Sequence, residues 1–191
     1  MMLAEIYDAY REDSKFDHLR RDGVPLVPGE GSANPKVLIV GEAPGAVENV
    51  QKRPFVGASG VALRSLISDV AGLEPEDYFI TNTVKYWPGP GNRTPDWQEV
   101  EASTPYLREE YIALCCPPVI LAAGSVALSV FRPEGETRSI LQCAGKPISL
   151  KGSRTLWPMV HPAYALHHKP YRDTMEGHWE TFGAWFRKEF W

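Results

Sequence analysis

The sequence predicts an α/β protein, a three-layer α/β/α sandwich around a short central parallel four-stranded sheet. Three observations predict it. Four short apolar runs, at residues 37–40, 77–84, 118–124 and 156–162, have strand length and are too short for core helices. Segments with helical spacing alternate with them, as a parallel sheet requires. Each run also stops in a turn built on Gly, Asn or His-Pro, which places polar residues at the edge where open α/β sheets bind ligands. With 191 residues, 43% of them hydrophobic, the chain is long enough for one sizeable core and has no linker-like break. One domain over residues 1–191 is expected.

Residues 1–22 carry scattered helical spacing (Ile6, Tyr10, Phe16, Leu19) and suit a short helix and connector. Leu26 to Gly31 is a Pro/Gly-punctuated approach to the first strand. Val37 to Val40 suits a strand covered on both faces, and Gly41-Glu42-Ala43-Pro44-Gly45 ends it, because Pro fixes φ and Gly releases it. Glu42 thus stands at a strand end, either as a group for chemistry or as a loop cap. Glu48 follows, and then Arg53-Pro54-Phe55-Val56-Gly57-Ala58-Ser59-Gly60 leads into a helix over residues 59–71. Phe55 on that framed loop is placed to stack on a planar ring; its plainer reading is a core anchor.

Asn82 closes the strand at 77–84 and offers a donor and an acceptor on one amide, the pairing that reads a pyrimidine edge, although caps use asparagine more often. Residues 85–95 form a loop that ends with Thr94 as N-cap and Pro95 as first helical residue. The strand at 118–124 runs into Ser125 as N-cap of a helix ending near Phe131, and residues 139–152 read as irregular or hairpin structure. The strand at 156–162 ends at His161-Pro162; a lone His there is more often structural than catalytic. The C-terminal segment from Asp173 to Trp191 spaces Trp179, Phe182, Trp185, Phe186 and Phe190 as the buried stripe of an amphipathic helix.

A net charge of −4 does not advertise nucleic-acid binding. Charge is uneven, however. Ala144 to Tyr171 holds no Asp or Glu but includes Lys146, Lys151, Arg154 and Lys169, with Arg172 next, a run suited either to solvent or to a phosphate backbone. Three cysteines, Cys115, Cys116 and Cys143, make no disulfide framework and no Cys-x-x-Cys pair. No signal-peptide core and no long apolar run appears, so a soluble, cytoplasmic monomer is expected.

Together, Gly-Glu-Ala-Pro-Gly at 41–45, Pro-Phe-Val-Gly-Ala-Ser-Gly at 54–60, Thr-Asn-Thr-Val-Lys at 81–85, Gly-Asn-Arg-Thr-Pro at 91–95 and His-Pro-Ala at 161–163 resemble the uracil-DNA glycosylase superfamily, and most closely its family 4. The resemblance spans about residues 24–172. It implies excision of uracil or a related base from DNA, with Glu42 positioning water, Glu48 as a second catalytic candidate and His161 donating to the departing base. Gly41, Phe55 and Asn82 would form the base site. Lys85, Arg93, Lys146, Lys151, Arg154, His167, Lys169 and Arg172 are the expected contacts to the DNA backbone.

Family 4 chains also carry an iron-sulfur cluster on four cysteines, two in a Cys-x-x-Cys pair near His18 to Gly23, one near Tyr86 and one near Ser103. None of those positions is a cysteine here, so no cofactor and no metal are expected, with aromatic and polar packing around Tyr86, Trp87 and Tyr106 in the cluster's place. Ala46 and Val47 stand where the family often has acidic residues. A catalytically silent relative that binds DNA or a protein is the alternative from another class. A phosphate-binding glycine loop is weaker, because the first turn lacks Lys-Ser/Thr and the Gly-x-Gly-x-x-Gly spacing.

Overall fold

A computed structural model describes residues 1–191, apart from the side chains of His167 and Lys169. Its strands are β1 (Glu30–Gly31), β2 (Val37–Gly41), β3 (Tyr78–Asn82), β4 (Val119–Ala123), β5 (Ile148–Leu150) and β6 (Arg154–Met159). Its helices are α1 (Leu3–Glu12), α2 (Asp17–Arg20), α3 (Ala46–Gln51), α4 (Ala58–Ser65), α5 (Trp97–Ala113), α6 (Ser125–Phe131), α7 (Ile140–Cys143), α8 (Pro162–His167) and α9 (Arg172–Phe190).

The sheet order is β1-β3-β2-β4-β6-β5. The four expected strands form its parallel centre, and the expected count of four is corrected to six by antiparallel strands at both edges, β1 on β3 and β5 on β6. A two-residue strand leaves no periodicity to read, and β5 lies in the segment expected to be irregular or a hairpin. Short edge strands also leave little unpaired backbone at the sheet margins.

Both faces of the centre are buried, as its continuous apolar runs require. Val37, Ile39, Leu121 and Trp157 face α4, α8 and α9, whose Leu63, Ala165, Trp179, Phe182 and Phe186 complete one core. Leu38, Val40, Ile120 and Leu156 face α5, α6 and α7 through Leu107, Leu128 and Cys143. Each fully buried aliphatic side chain contributes roughly 1.5–3 kcal/mol relative to an exposed one. The C-terminal aromatic stripe is therefore core.

The helix expected over residues 59–71 is split, α4 being followed by a π-helical turn over Leu66–Val70. Helix α5 begins two residues later than expected. Its N-cap is Asp96, which accepts from the Glu99 amide at 2.9 Å while Glu99 accepts from the Asp96 amide at 2.8 Å. This reciprocal capping satisfies two otherwise orphaned amides and outcompetes a Thr94 cap.

Candidate active site

Strand register brings the polar strand ends to one edge. Gly41 pairs with Asn82, and the chain beyond stays tied, since the Thr83 amide bonds Gly41 O at 2.9 Å and the Val84 amide bonds Glu42 O at 3.0 Å. Ala123 pairs with Met159, and the Gly124 amide bonds Met159 O at 2.8 Å, which fixes the step to His161. Glu42, Asn82 and His161 thus leave three strands beside one another. With Glu48 and Phe55 they line a cavity of about 600 Å³.

The Phe55 ring lies over Gly41. A Cβ on Gly41 would stand 2.4 Å from Phe55 Cζ and 2.6 Å from Asn82 Oδ1, so only glycine leaves room for both groups. The Phe55 and His161 rings are 6.3 Å apart between centroids and inclined by 32°. Phe55 adopts φ +55°, a left-handed conformation that costs a non-glycine residue roughly 1–2 kcal/mol. The loop holds it there through side chains. Arg64 donates to Phe55 O (3.0 Å) and Pro54 O (2.9 Å), while Glu48 Oε1 accepts from the Val56 and Gly57 amides at 2.9 and 2.7 Å. Glu48 Oε2 accepts from the Gly45 amide at 3.2 Å.

His161 is the N-cap of α8, where its Nδ1 accepts from the Ala163 amide at 3.3 Å. An accepting Nδ1 in a neutral ring puts the proton on Nε2. Burial pulls the imidazole below its usual range, and the Glu48 carboxylate pushes the other way less strongly. Burial pushes Glu42 above the usual carboxylate range, and the Thr94 side chain pulls back in part. The cavity therefore pairs a neutral imidazole donor with a carboxylate poised closer to neutrality than a surface one.

Residues 28–191 match the uracil DNA glycosylase superfamily. The chain belongs to that superfamily. It is 40% identical over 152 residues to a type-4 uracil-DNA glycosylase of Thermotoga maritima, covering 80% of this chain and 76% of that one. It is 38% identical over 155 residues to the type-4 enzyme of Saccharolobus solfataricus, covering 78% and 71%. With the type-4 enzyme of Archaeoglobus fulgidus it shares 33% identity over 170 residues, or 86% and 84% of the two chains.

Several of the expected backbone contacts of this glycosylase-superfamily chain lie elsewhere than the sequence suggests. Lys85 is buried, 1% exposed, and its ammonium bonds Thr81 Oγ1 (2.6 Å), Asn82 O (2.6 Å) and Glu110 Oε2 (2.7 Å). Burial pulls that ammonium down and Glu110 pushes it up. Its expected phosphate contact is therefore corrected to an internal tie holding the Asn82 carbonyl. Lys151 and Arg154 lie away from the cavity edge of the sheet. Lys151 lies in the turn before β6 and Arg154 at its start, roughly 16 Å of strand from the end at Met159, and the Arg154 guanidinium bonds Lys151 O and lies over Tyr111. The acid-free run is one run in sequence but climbs a strand, so its charges do not form one patch.

Arg93 does line the cavity, but its guanidinium bonds both Glu99 oxygens at 2.6 and 2.8 Å. Burial works against the Glu99 charge, yet Arg93, the Asp96 amide and His18 together hold its carboxyl down at about 2. Lys146 is exposed beside the C-terminal half of β6, where the Gly145 amide bonds Pro158 O, and Arg172 is exposed at the start of α9. The His167 and Lys169 side chains lie outside the described residues. Asn92 was missed by sequence reasoning. Its Oδ1 accepts from the Ala46 amide (3.1 Å) and Trp87 Nε1 (2.8 Å), which docks the 85–95 loop against the first motif. Its place in Gly-Asn-Arg-Thr-Pro was the available signal.

The four-thiolate cluster that family 4 implies finds no fitting residues. Tyr10 stacks on Phe16 at 4.1 Å and 5°, Tyr86 and Tyr106 pack around them, and Tyr10 Oη meets Ser103 Oγ at 2.6 Å. Tyr86 and Ser103 thus fill two ligand positions with an aromatic cluster joining α1 to α5. His18, near the place of the first pair, meets Glu99 at 2.9 Å. Cys115 and Cys116 are exposed beyond the end of α5, and Cys143 is buried against the α6 and α7 side of the sheet. Among the described residues no group of three or more His, Cys, Asp or Glu side chains has metal-site geometry.

Proposed function

We propose that this protein removes uracil from DNA by flipping the nucleotide into the cavity and hydrolysing its N-glycosidic bond, leaving an abasic site. The observation that carries this reading is the convergence of Glu42, Phe55, Asn82 and His161, from three strand ends and one loop, on a single cavity of about 600 Å³. Its expected partner is DNA containing uracil or a related base.

A base inside a duplex is out of reach, so extrusion comes first, at a cost of a few kcal/mol. Phe55 then offers a flat apolar face to the ring, and the Asn82 amide offers a donor and an acceptor to its edge. As the bond to the sugar breaks, positive charge develops on deoxyribose and negative charge on the base. Glu42 faces the first charge and orients the attacking water. The Nε2–H of neutral His161 faces the second, and one such aimed donor is worth about 3 kcal/mol.

The test uses oligonucleotides bearing uracil, hypoxanthine, xanthine or a thymine mismatch, with alkali treatment to cut abasic sites. Cleavage of the uracil strand is expected. Intact strands for all four substrates would overturn the reading in favour of a silent binding module.

A further inference from the structure

We propose that Arg64 is a positioning residue for base stacking, holding the Pro54–Phe55 peptide in the conformation that lays the Phe55 ring over Gly41. The proposal rests on the reading of Phe55 as the base platform.

The segment from Pro54 to Gly57 is held from two sides. A cation takes its carbonyls, through Arg64 to Pro54 O and Phe55 O, and an anion takes its amides, through Glu48 to Val56 and Gly57. The grip of α4 on this peptide comes from one face of the helix, because residues four apart lie one above the other. Gly60 provides the seat. A Cβ there would fall 2.2–2.5 Å from the Cα, C and O of Phe55. Arg64, one turn on, provides the clasp.

The guanidinium is itself oriented. Its Nη2 meets Glu30 Oε1 at 2.6 Å, and Glu30 is bound from its other side by Arg53 at 2.9 Å through both Nε and Nη2. Two arginines joined by one carboxylate therefore bracket the Pro54–Phe55 peptide. The αL conformation of Phe55 is one that a bulky residue leaves unless its surroundings hold it, and leaving it would carry the ring off Gly41. Arg64 is partly exposed and makes these contacts to a loop, with Glu30 beyond it, so its removal should move the platform without dismantling the core.

Arg64→Met, Arg64→Lys and Glu30→Gln are to be compared with wild type in single-turnover cleavage of uracil-containing DNA, inhibition by free uracil, binding of abasic-site DNA and thermal midpoint. Arg64→Met should slow cleavage at least about tenfold and weaken uracil inhibition by a similar factor, with abasic-DNA binding within about twofold of wild type, since small misplacements at a reacting site cost that much or more. Arg64→Lys should recover part of the loss, because an ammonium reaches one carbonyl, and Glu30→Gln should fall between Arg64→Met and wild type. Arg64→Met with wild-type cleavage and uracil inhibition would overturn the proposal while leaving the glycosylase reading intact. Parallel loss of stability, product binding and cleavage would also overturn it, by making Arg64 a scaffold residue. Wild type that cleaves none of the uracil substrates overturns both.

Discussion

Gly41 and Asn82 are register partners at the ends of adjacent parallel strands, and a Cβ on Gly41 would lie 2.6 Å from Asn82 Oδ1 and 2.4 Å from the Phe55 ring. The missing side chain of Gly41 thus leaves room for Phe55 and Asn82, which line the cavity. Gly41→Ala should displace both groups and lower single-turnover cleavage roughly 10²-fold, the scale of a 1 Å misplacement, while abasic-DNA binding persists. Unchanged cleavage would show that base excision does not depend on this seating of Phe55 and Asn82.

Glu42 carries the pH prediction for activity. On the proposed reading it is ionised to orient water, and burial raises its pKa above the ordinary 4.5, so the acid limb of kcat/KM should lie above pH 4.5. Glu42→Gln should be slow and lose that limb. A limb at or below the ordinary value, or one that survives in the variant, assigns it to another group.

His161 carries the pH prediction for stability. Its folded-state pKa is depressed below 6.5, so over the interval between the two values the unfolded chain binds a proton that the folded chain does not. Its contribution is a loss of stability that begins as pH falls through about 6.5 and levels off below the folded pKa. Denaturant titrations of wild type and His161→Gln across that range should diverge in slope, the variant being flatter.

Lys85 is an interior cation whose three visible partners are Thr81, Asn82 O and Glu110, and Glu110 also accepts from the Tyr7 hydroxyl. Lys85→Met leaves Glu110 buried without its counter-charge and should cost roughly 3–5 kcal/mol. Glu110→Met added to it should restore part of that loss. An unaltered thermal midpoint in Lys85→Met would contradict the buried pair.

Position on the sheet separates two lysines that the sequence groups together. Lys146→Glu, beside the C-terminal half of β6, should weaken DNA binding and flatten the log–log salt slope by about one, whereas Lys151→Glu, at the opposite end of β6, should change neither. The reverse pattern would place the nucleic acid on the other edge.

The parallel centre was legible because buried strands are written as unbroken apolar runs; Glu42, Asn82 and His161 stand where such runs end and Phe55 on a Pro/Gly-framed loop, but their roles came from the family resemblance and not from those positions. What escaped depends on long-range placement. Nothing local to Lys85 says that a carboxylate 25 residues away will meet it inside the core. Arg64 reads as one more helical arginine until the loop carbonyls nine and ten residues before it are seen against its guanidinium. Thr94 looked like a cap, but the Asp96–Glu99 exchange starts the helix two residues later.

Glu48 binds the Gly45 amide of the first motif and the Val56 and Gly57 amides of the second, and its charge is felt by His161 in the last. Three separate sequence blocks therefore share one carboxylate, and they should not be interchangeable one at a time. A chimera that imports the 41–48 block from a relative would set that relative's residue at position 48 against this chain's own Phe55 loop. Grafting the 41–48 and 54–60 blocks together should succeed where either alone fails, with a coupling of roughly 0.5–3 kcal/mol between them.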